Sequence, residues 1–283
     1  MATLMTNASC AARSGRLRFA TVLAVLLAFS ATGCEKLKAR DMLNKGVQSY
    51  KAQQYDRSVE YFKQAKSLDP SLVNAQLYLA TAYSNLYVDG SPAPDNVEKG
   101  NQAVAEFKEV LRVNSKNLSA IDGLGSILYR MGGQPFDPKK LEESKSYHLQ
   151  HIQISPNDPE PYYWVGVIDW LLSFRANVTM RSEFNSNSPK KPLKEGEPLP
   201  DKLREPFSGK YAQVIDEGIE KLKKAIELRP DYDDAMAYLN LLDRQKADEV
   251  QSADERNKYL ADADALIEKV KEIKQKKAEK PTA

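Results

Sequence analysis

Tyr55-Asp56-Arg57-Ser58-Val59-Glu60-Tyr61-Phe62-Lys63-Gln64-Ala65-Lys66-Ser67-Leu68-Asp69-Pro70 carries the spacing on which the fold turns. Ser58, Phe62, Ala65 and Pro70 step forward by four, three and five residues, and the same steps return in Ala103-Phe107-Val110-Ser115, Ser144-His148-His151-Pro156 and Gly218-Leu222-Ala225-Pro230. Steps of four and three keep side chains on one helix face, and a proline at the end stops a helix that it cannot continue. Nine residues past each closing position stands a hydrophobic residue followed by a small or polar one: Leu79-Ala80, Leu124-Gly125, Val165-Gly166 and Leu239-Asn240. Helix therefore follows helix at a fixed interval. Such a chain is predicted to be all-α, because each helix pair must bury its apolar face on the next.

Upstream of the quoted stretch, Met42, Leu43, Val47 and Tyr50 mark one face of a first helix, Gln53-Gln54 a turn, and Gly46 a point of close approach to the second helix. Gly46-Val47-Gln48-Ser49-Tyr50-Lys51, then Tyr55 to Ala65, then Leu68-Asp69-Pro70, resembles the tetratricopeptide-repeat (TPR) family, and the resemblance covers most of residues 39–250. It implies a TPR-type helix-turn-helix solenoid of about five units. The fifth unit begins at Asp233. Its second helix is a cap whose apolar stripe runs through Tyr259, Ala263, Leu266, Val270 and Ile273. Residues 251–283 are thus expected to form a capping helix ending in a charged, frayed tail from Lys274.

From the small residue of the first helix to the second-helix motif there are 12 residues in unit one (Gly46 to Ser58), 23 in unit two (Ala80 to Ala103), 19 in unit three (Gly125 to Ser144) and 52 in unit four (Gly166 to Gly218). The extra length always falls between the two helices of a pair, so the insertions either share one edge or are three independent tolerated loops. The first, around Asp89-Gly90-Ser91-Pro92-Ala93-Pro94, reads as coil, and the second, Met131 to Pro138, as turns with Phe136 packed among them. The third, around 173–210, reads as a lengthened helical hairpin whose proline-rich tip, residues 188–200, is expected to be mobile. Its cluster Lys190, Lys191 and Lys194 suits an acidic partner or lipid headgroups, or is simply a solvated charge run.

Residues 1–33 hold Arg13, Arg16 and Arg18, no acid, and an uncharged run from Phe19 to Thr32 that is too short for the roughly 20 residues of a spanning helix. They read as a signal peptide. Ala31-Thr32-Gly33-Cys34 resembles the lipobox of bacterial lipoproteins, although Ala31 stands where that family usually has Leu; the other reading is an ordinary secretory signal. Lipidation would give Cys34, the one cysteine left after export, a fate, and two or more acyl chains anchor firmly. Residues 34–38 are then a short tether. Glu35 after the cysteine, by the same resemblance, implies the outer membrane facing the periplasm.

Hydrophobic content of 42% and charged content of 28% argue against wholesale disorder and against a polytopic membrane protein. Without the three arginines of the signal, 38 Lys and Arg face 39 Asp and Glu, no footprint for nucleic acid. Catalytic patterns fail: neither a phosphate loop nor a His-Glu-x-x-His pair occurs, and Gly123-Leu124-Gly125 lies in a helical pattern. The expectation is a non-enzyme with no cofactor. His148 and His151 stand at packing positions held by Phe62 and Ala65 in unit one, and their spacing of three residues leaves a metal site as the alternative, beside a glycan or small-molecule site.

By the TPR resemblance, first helices line the binding groove, which makes Tyr50, Lys51, Asn85, Tyr129, Arg130, Trp170 and Arg244 candidate contacts for a peptide or protein partner. Tyr162, Tyr163 and Trp164 are assigned to the core. Leu43 and Val47 occupy the places where chaperone-binding TPR proteins carry their carboxylate-holding Lys and Asn. The resulting expectation is a scaffold at the bacterial cell envelope, in outer-membrane barrel assembly or in pilus secretin assembly.

Overall fold

In the computed structural model, which describes residues 34–194 and 196–279, apolar residues recurring at helical spacing build ten helices, and no strand occurs among the described residues. They are α1 (34–51), α2 (Tyr55–Leu68), α3 (Val73–Leu86), α4 (Pro94–Val113), α5 (Leu118–Gly133), α6 (Pro138–Ile154), α7 (Pro159–Asn187), α8 (Asp201–Leu228), α9 (Asp233–Glu249) and α10 (Ala253–Glu279). Residues 1–33, expected to be a signal peptide, and the last residues, 280–283, lie outside the described residues. The expected tether is not a loose strand of chain: residues 34–38 are helical and exposed, part of α1.

The helices fall into two compact units. The first holds α1 to α4, and the second holds α5 to α10 with the segment Val88–Ala93. Within each, a helix packs on its successor, and in the second unit the first helices α7 and α9 also touch, as stacked helix pairs require. The pairing geometry is TPR-type. One turn recurs wherever a second helix hands over to the next first helix: Leu72, Asn117, Asp158 and Tyr232 each donate their backbone N–H to the carbonyl three residues back, at 3.0, 3.1, 3.2 and 3.0 Å. Asn117 and Asp158 also cap the following helix with their side chains.

In three of the pairs, a glycine of the first helix lies under a large residue of the second. A Cβ added at Gly46 would stand 2.3 Å from Phe62. At Gly125 it would meet His148 at 2.6 Å, and at Gly166 it would meet Leu222 at 2.4 Å. Phe62, Phe107, His148 and Leu222 are all buried. Lys145 of α6 ties three helices together in the second unit, reaching Asp169 of α7 at 2.7 Å and Glu217 of α8 at 2.8 Å. Burial pushes the Asp169 carboxyl up to about 7 against the pull of that ammonium.

Two expectations about the chain's extremities are corrected. The third-insertion tip is pinned: Asn185 exchanges hydrogen bonds with the backbone of Leu193 at 2.7 and 3.1 Å, Arg181 donates to the carbonyl of Glu197 at 2.8 Å, and Leu199 is buried. Proline density forbids helix there, but it does not forbid a coil whose carbonyls are capped by neighbouring side chains. Beyond Lys274 the last helix continues to Glu279, held by Lys277, which reaches Asp233 at 2.6 Å.

Glycine substitutions separate packing from propensity. Gly166→Ala should lower the urea midpoint, at a cost of about 1–3 kcal/mol, because Leu222 has no room to retreat. Gly209→Ala, in α8 with nothing within 4 Å of the new methyl, should raise it by about 0.5–1 kcal/mol. Equilibrium unfolding followed by circular dichroism reads both.

Candidate functional site

The seven groove candidates are divided between the two units. Tyr50, Lys51 and Asn85 belong to the first unit, where Asn85 donates to the Tyr50 hydroxyl at 2.8 Å and Lys51 is exposed at the end of α1. Tyr129, Arg130, Trp170 and Arg244 belong to the second. There Arg130 points at the first insertion, pairing with Asp89 at 2.7 Å.

Tyr129 begins, and Trp170 belongs to, an aromatic strip on the face formed by α5, α7 and α9. Ring follows ring from Tyr129 to Trp164 (5.2 Å), Tyr163 (5.2 Å), Tyr238 (5.7 Å), Trp170 (5.2 Å) and Phe174 (5.1 Å). Most contacts are edge-to-face, the favoured arrangement of ring quadrupoles, while Trp170 and Phe174 lie stacked. Of the three aromatics assigned to the core, Tyr162 is buried, donating its hydroxyl to the Pro156 carbonyl at 3.1 Å, while Tyr163 and Trp164 are half-buried, Tyr163 packing against the core cluster and Trp164 against the buried His148. The signal was present, since Tyr163, Trp170 and Phe174 follow at seven and four residues, one face of one helix. Tyr238 supplies the continuation from the next first helix. Burial pushes the Tyr129, Tyr163 and Tyr238 hydroxyls up, so the strip is uncharged at neutral pH.

At the Phe174 end the strip opens into a cavity of about 670 Å³ beneath the tip of the third insertion. Trp170, Phe174 and Leu241 wall it, and Arg181, Arg244 and Arg256 reach its rim. Asp248 accepts from Arg181 at 2.8 Å, and burial nevertheless pushes its carboxyl up. Arg244 donates to Asn240 at 3.0 Å and to Asp264 at 2.6 Å.

The edge candidates are divided as well. Phe136, 39% exposed, lies under the Arg175 guanidinium at 5.5 Å and borders a separate groove of about 550 Å³ between the start of α6 and the α7/α8 hairpin. Lys190, Lys191 and Lys194 are exposed on the tip, and of these Lys194 borders the larger cavity.

His148 and His151 do not converge on a common point. His148 stacks on Trp164 at 5.9 Å with both ring nitrogens buried and unbonded, whereas His151 places Nδ1 2.6 Å from Asp122. Among the described residues, no three His, Cys, Asp or Glu side chains are grouped to hold a metal.

No protein-family profile matches the chain, and no curated protein matches it in sequence. Solved structures do. A double mutant of MamA RS-1 is similar with a TM-score of 0.55 at 14% identity, covering 85% of this chain and 96% of that one. MamA from residue 41 onward, of Desulfovibrio magneticus RS-1, gives 0.55 at 15%, covering 84% and 96%. A crystal structure of MamA gives 0.53 at 16%, covering 87% and 97%. At such identity the likeness is one of fold.

Burial, and then the neighbouring charge of His151, pushes the His148 imidazole down to about 4. Between that value and the ordinary one near 6.5, an unfolded chain takes up a proton that the folded chain refuses, so His148 withdraws stability as pH falls through this window. Two sister repeats hold Phe at the same position, Phe62 and Phe107, and a third holds Leu222. His148→Phe should therefore gain on the parent by about 2 kcal/mol more at pH 5 than at pH 7.5, measured by urea unfolding at both pH values.

Proposed function

We propose that this chain, a TPR protein by its fold, is an exported, lipid-anchored scaffold that holds a partner protein or peptide at the bacterial cell envelope, and that it is not an enzyme. The observation that carries the reading is the aromatic strip: six rings in a row, five half-buried and Phe174 exposed, on the first-helix face of the second unit. Large aromatic side chains give much contact area at little rotamer cost, and their phenol hydroxyls offer hydrogen bonds to a peptide backbone. Helices fix all of them in place, so little ordering is left for the partner to impose.

The anchor is the second half of the proposal. Cys34 is exposed at the start of the described chain, with the lipobox-like residues directly before it, and no described helix is long and apolar enough to cross a membrane. Lipidation at Cys34 would place the strip at a membrane surface, on the periplasmic face of the outer membrane. Assembly of outer-membrane barrels or of pilus secretins is work that suits such a scaffold.

Both halves are testable in a bacterial host. Cys34→Ser should move the protein from the membrane to the soluble fraction and abolish labelling by radioactive palmitate. Trp164→Ala combined with Tyr238→Ala should reduce the crosslinked partner at least tenfold while the chain stays at the membrane. Unchanged capture by that double variant would dismiss the strip as the binding face.

A further inference from the structure

The aromatic strip offers hydrogen-bond donors that the protein itself does not use. The hydroxyls of Tyr129, Tyr163 and Tyr238 and the indole N–H groups of Trp164 and Trp170 make no hydrogen bond among the described residues, and none of these five atoms is sealed from solvent. After burial, it is the Tyr238 hydroxyl that most raises those of Tyr129 and Tyr163, which places the three close together. They come from three successive first helices, α5, α7 and α9, so the donors span the width of the strip.

Acceptors are scarce on the same face. Carbonyls in a helix interior are spent within the helix, and Gln245, which donates to the Trp170 carbonyl at 3.4 Å, has its own side-chain oxygen buried. Of the acids that bear on the strip hydroxyls, Asp89 pairs with Arg130 at 2.7 Å, and Glu160 takes Arg229 and the Tyr232 hydroxyl, each at 2.8 Å. The other is Asp234, exposed in the first turn of α9 and bearing on both Tyr163 and Tyr238, while Lys277 pairs with the adjacent Asp233 at 2.6 Å. An extended chain with ordinary peptide N–H groups would leave most of them unmet on such a face, and an unmet desolvated donor is costly. Proline brings a carbonyl and no N–H, and proline-rich segments dock on aromatic-lined surfaces.

We propose that the strip binds a proline-rich segment in the polyproline II conformation that carries a basic residue beside its prolines. The proline rings lie against the aromatic ones, the free hydroxyl and indole donors take the prolines' carbonyls, and Asp234 takes the basic side chain. This rests on the reading of the strip as the partner-binding face and names the chemistry of the partner. Polyproline II is already populated in the free segment, so little entropy is lost on docking. A sugar chain, which also stacks on aromatic rings, presents many hydroxyl donors and would meet the same shortage of acceptors.

Calorimetric titration of the full chain tests it, with an octaproline peptide bearing an arginine at each end, a Gly-Ser peptide of equal length with the same ends, the octaproline peptide with glutamine ends, and chitohexaose. We expect the arginine-ended octaproline to bind at least ten times more tightly than the Gly-Ser peptide. Tyr163→Phe combined with Tyr238→Phe removes two hydroxyls, keeps both rings and should weaken that binding at least fivefold. Asp234→Asn should erase the advantage of arginine over glutamine ends, and Phe136→Ala, on the separate groove, should leave every affinity as it was. Because neither substituted hydroxyl bonds within the protein, both Tyr→Phe changes should preserve the circular dichroism of the parent. Equal binding of the octaproline and Gly-Ser peptides, a proline preference that survives the Tyr→Phe pair, an arginine advantage that survives Asp234→Asn, or binding of chitohexaose in place of octaproline overturns the proposal. Partner capture that still falls on Trp164→Ala with Tyr238→Ala would in that case leave the scaffold reading standing.

Discussion

A second helix reaches its partner in this protein only because the first helix withdraws a side chain beneath it. Gly46 under Phe62, Gly125 under His148 and Gly166 under Leu222 are one contact made three times, each leaving less than 3 Å for a Cβ that is not there. Close-packed interiors tolerate no such overlap, so the small residue sets the distance between the helices of a pair. The handover turn then sets the step to the next pair. With both fixed, the only free length is between the two helices of a pair, and there all the insertions lie.

That restriction explains where a binding site has room to form. The third insertion adds turns to the end of α7 and the beginning of α8 without touching the Gly166–Leu222 contact, and its coil is held by Arg181 of α7 and Arg256 of α10. The first two insertions behave differently. Asp89 of the first reaches Arg130, and Phe136 of the second meets Arg175 on α7. Each of these two inserted segments therefore touches the first helix of the next pair, α5 and α7 respectively.

How much of this was legible in the sequence follows from which interactions are local. The steps of four, three and five residues, and the small residue nine or ten places on, are set by helix geometry and turn chemistry, so the helix order could be read directly. The extended α7 could be read too, because its periodicity runs unbroken through Phe174 to Phe184. The strip could be read only in part. Trp170 and Tyr129 were found from their place on first helices, but Tyr163 and Trp164 adjoin the buried Tyr162, and only the neighbouring helices decide which of three adjacent aromatics faces inward. The partners of Arg130 and Asn85, Asp89 and Tyr50, lie 41 and 35 residues away, beyond the reach of a local pattern. The pinned tip was hidden for the same reason: Arg181 and Arg256 flank the tip by 13 and 60 residues from the carbonyls that they hold.

Rigidity behind the strip completes the argument. Glu160, in the first turn of α7, accepts from Arg229 and from the Tyr232 hydroxyl, both at 2.8 Å, and the Arg229 guanidinium lies 4.2 Å above the Tyr232 ring. Tyr232 in turn packs on Tyr163 at 5.1 Å. Further along α7, Lys145 holds Asp169, the residue next to Trp170. Tyr163 and Trp170 are thus each backed by a charge-assisted hydrogen bond made one or a few residues away on the same helix. A surface built this way meets its partner in the conformation that it already holds, and the ordering cost of binding falls on the partner.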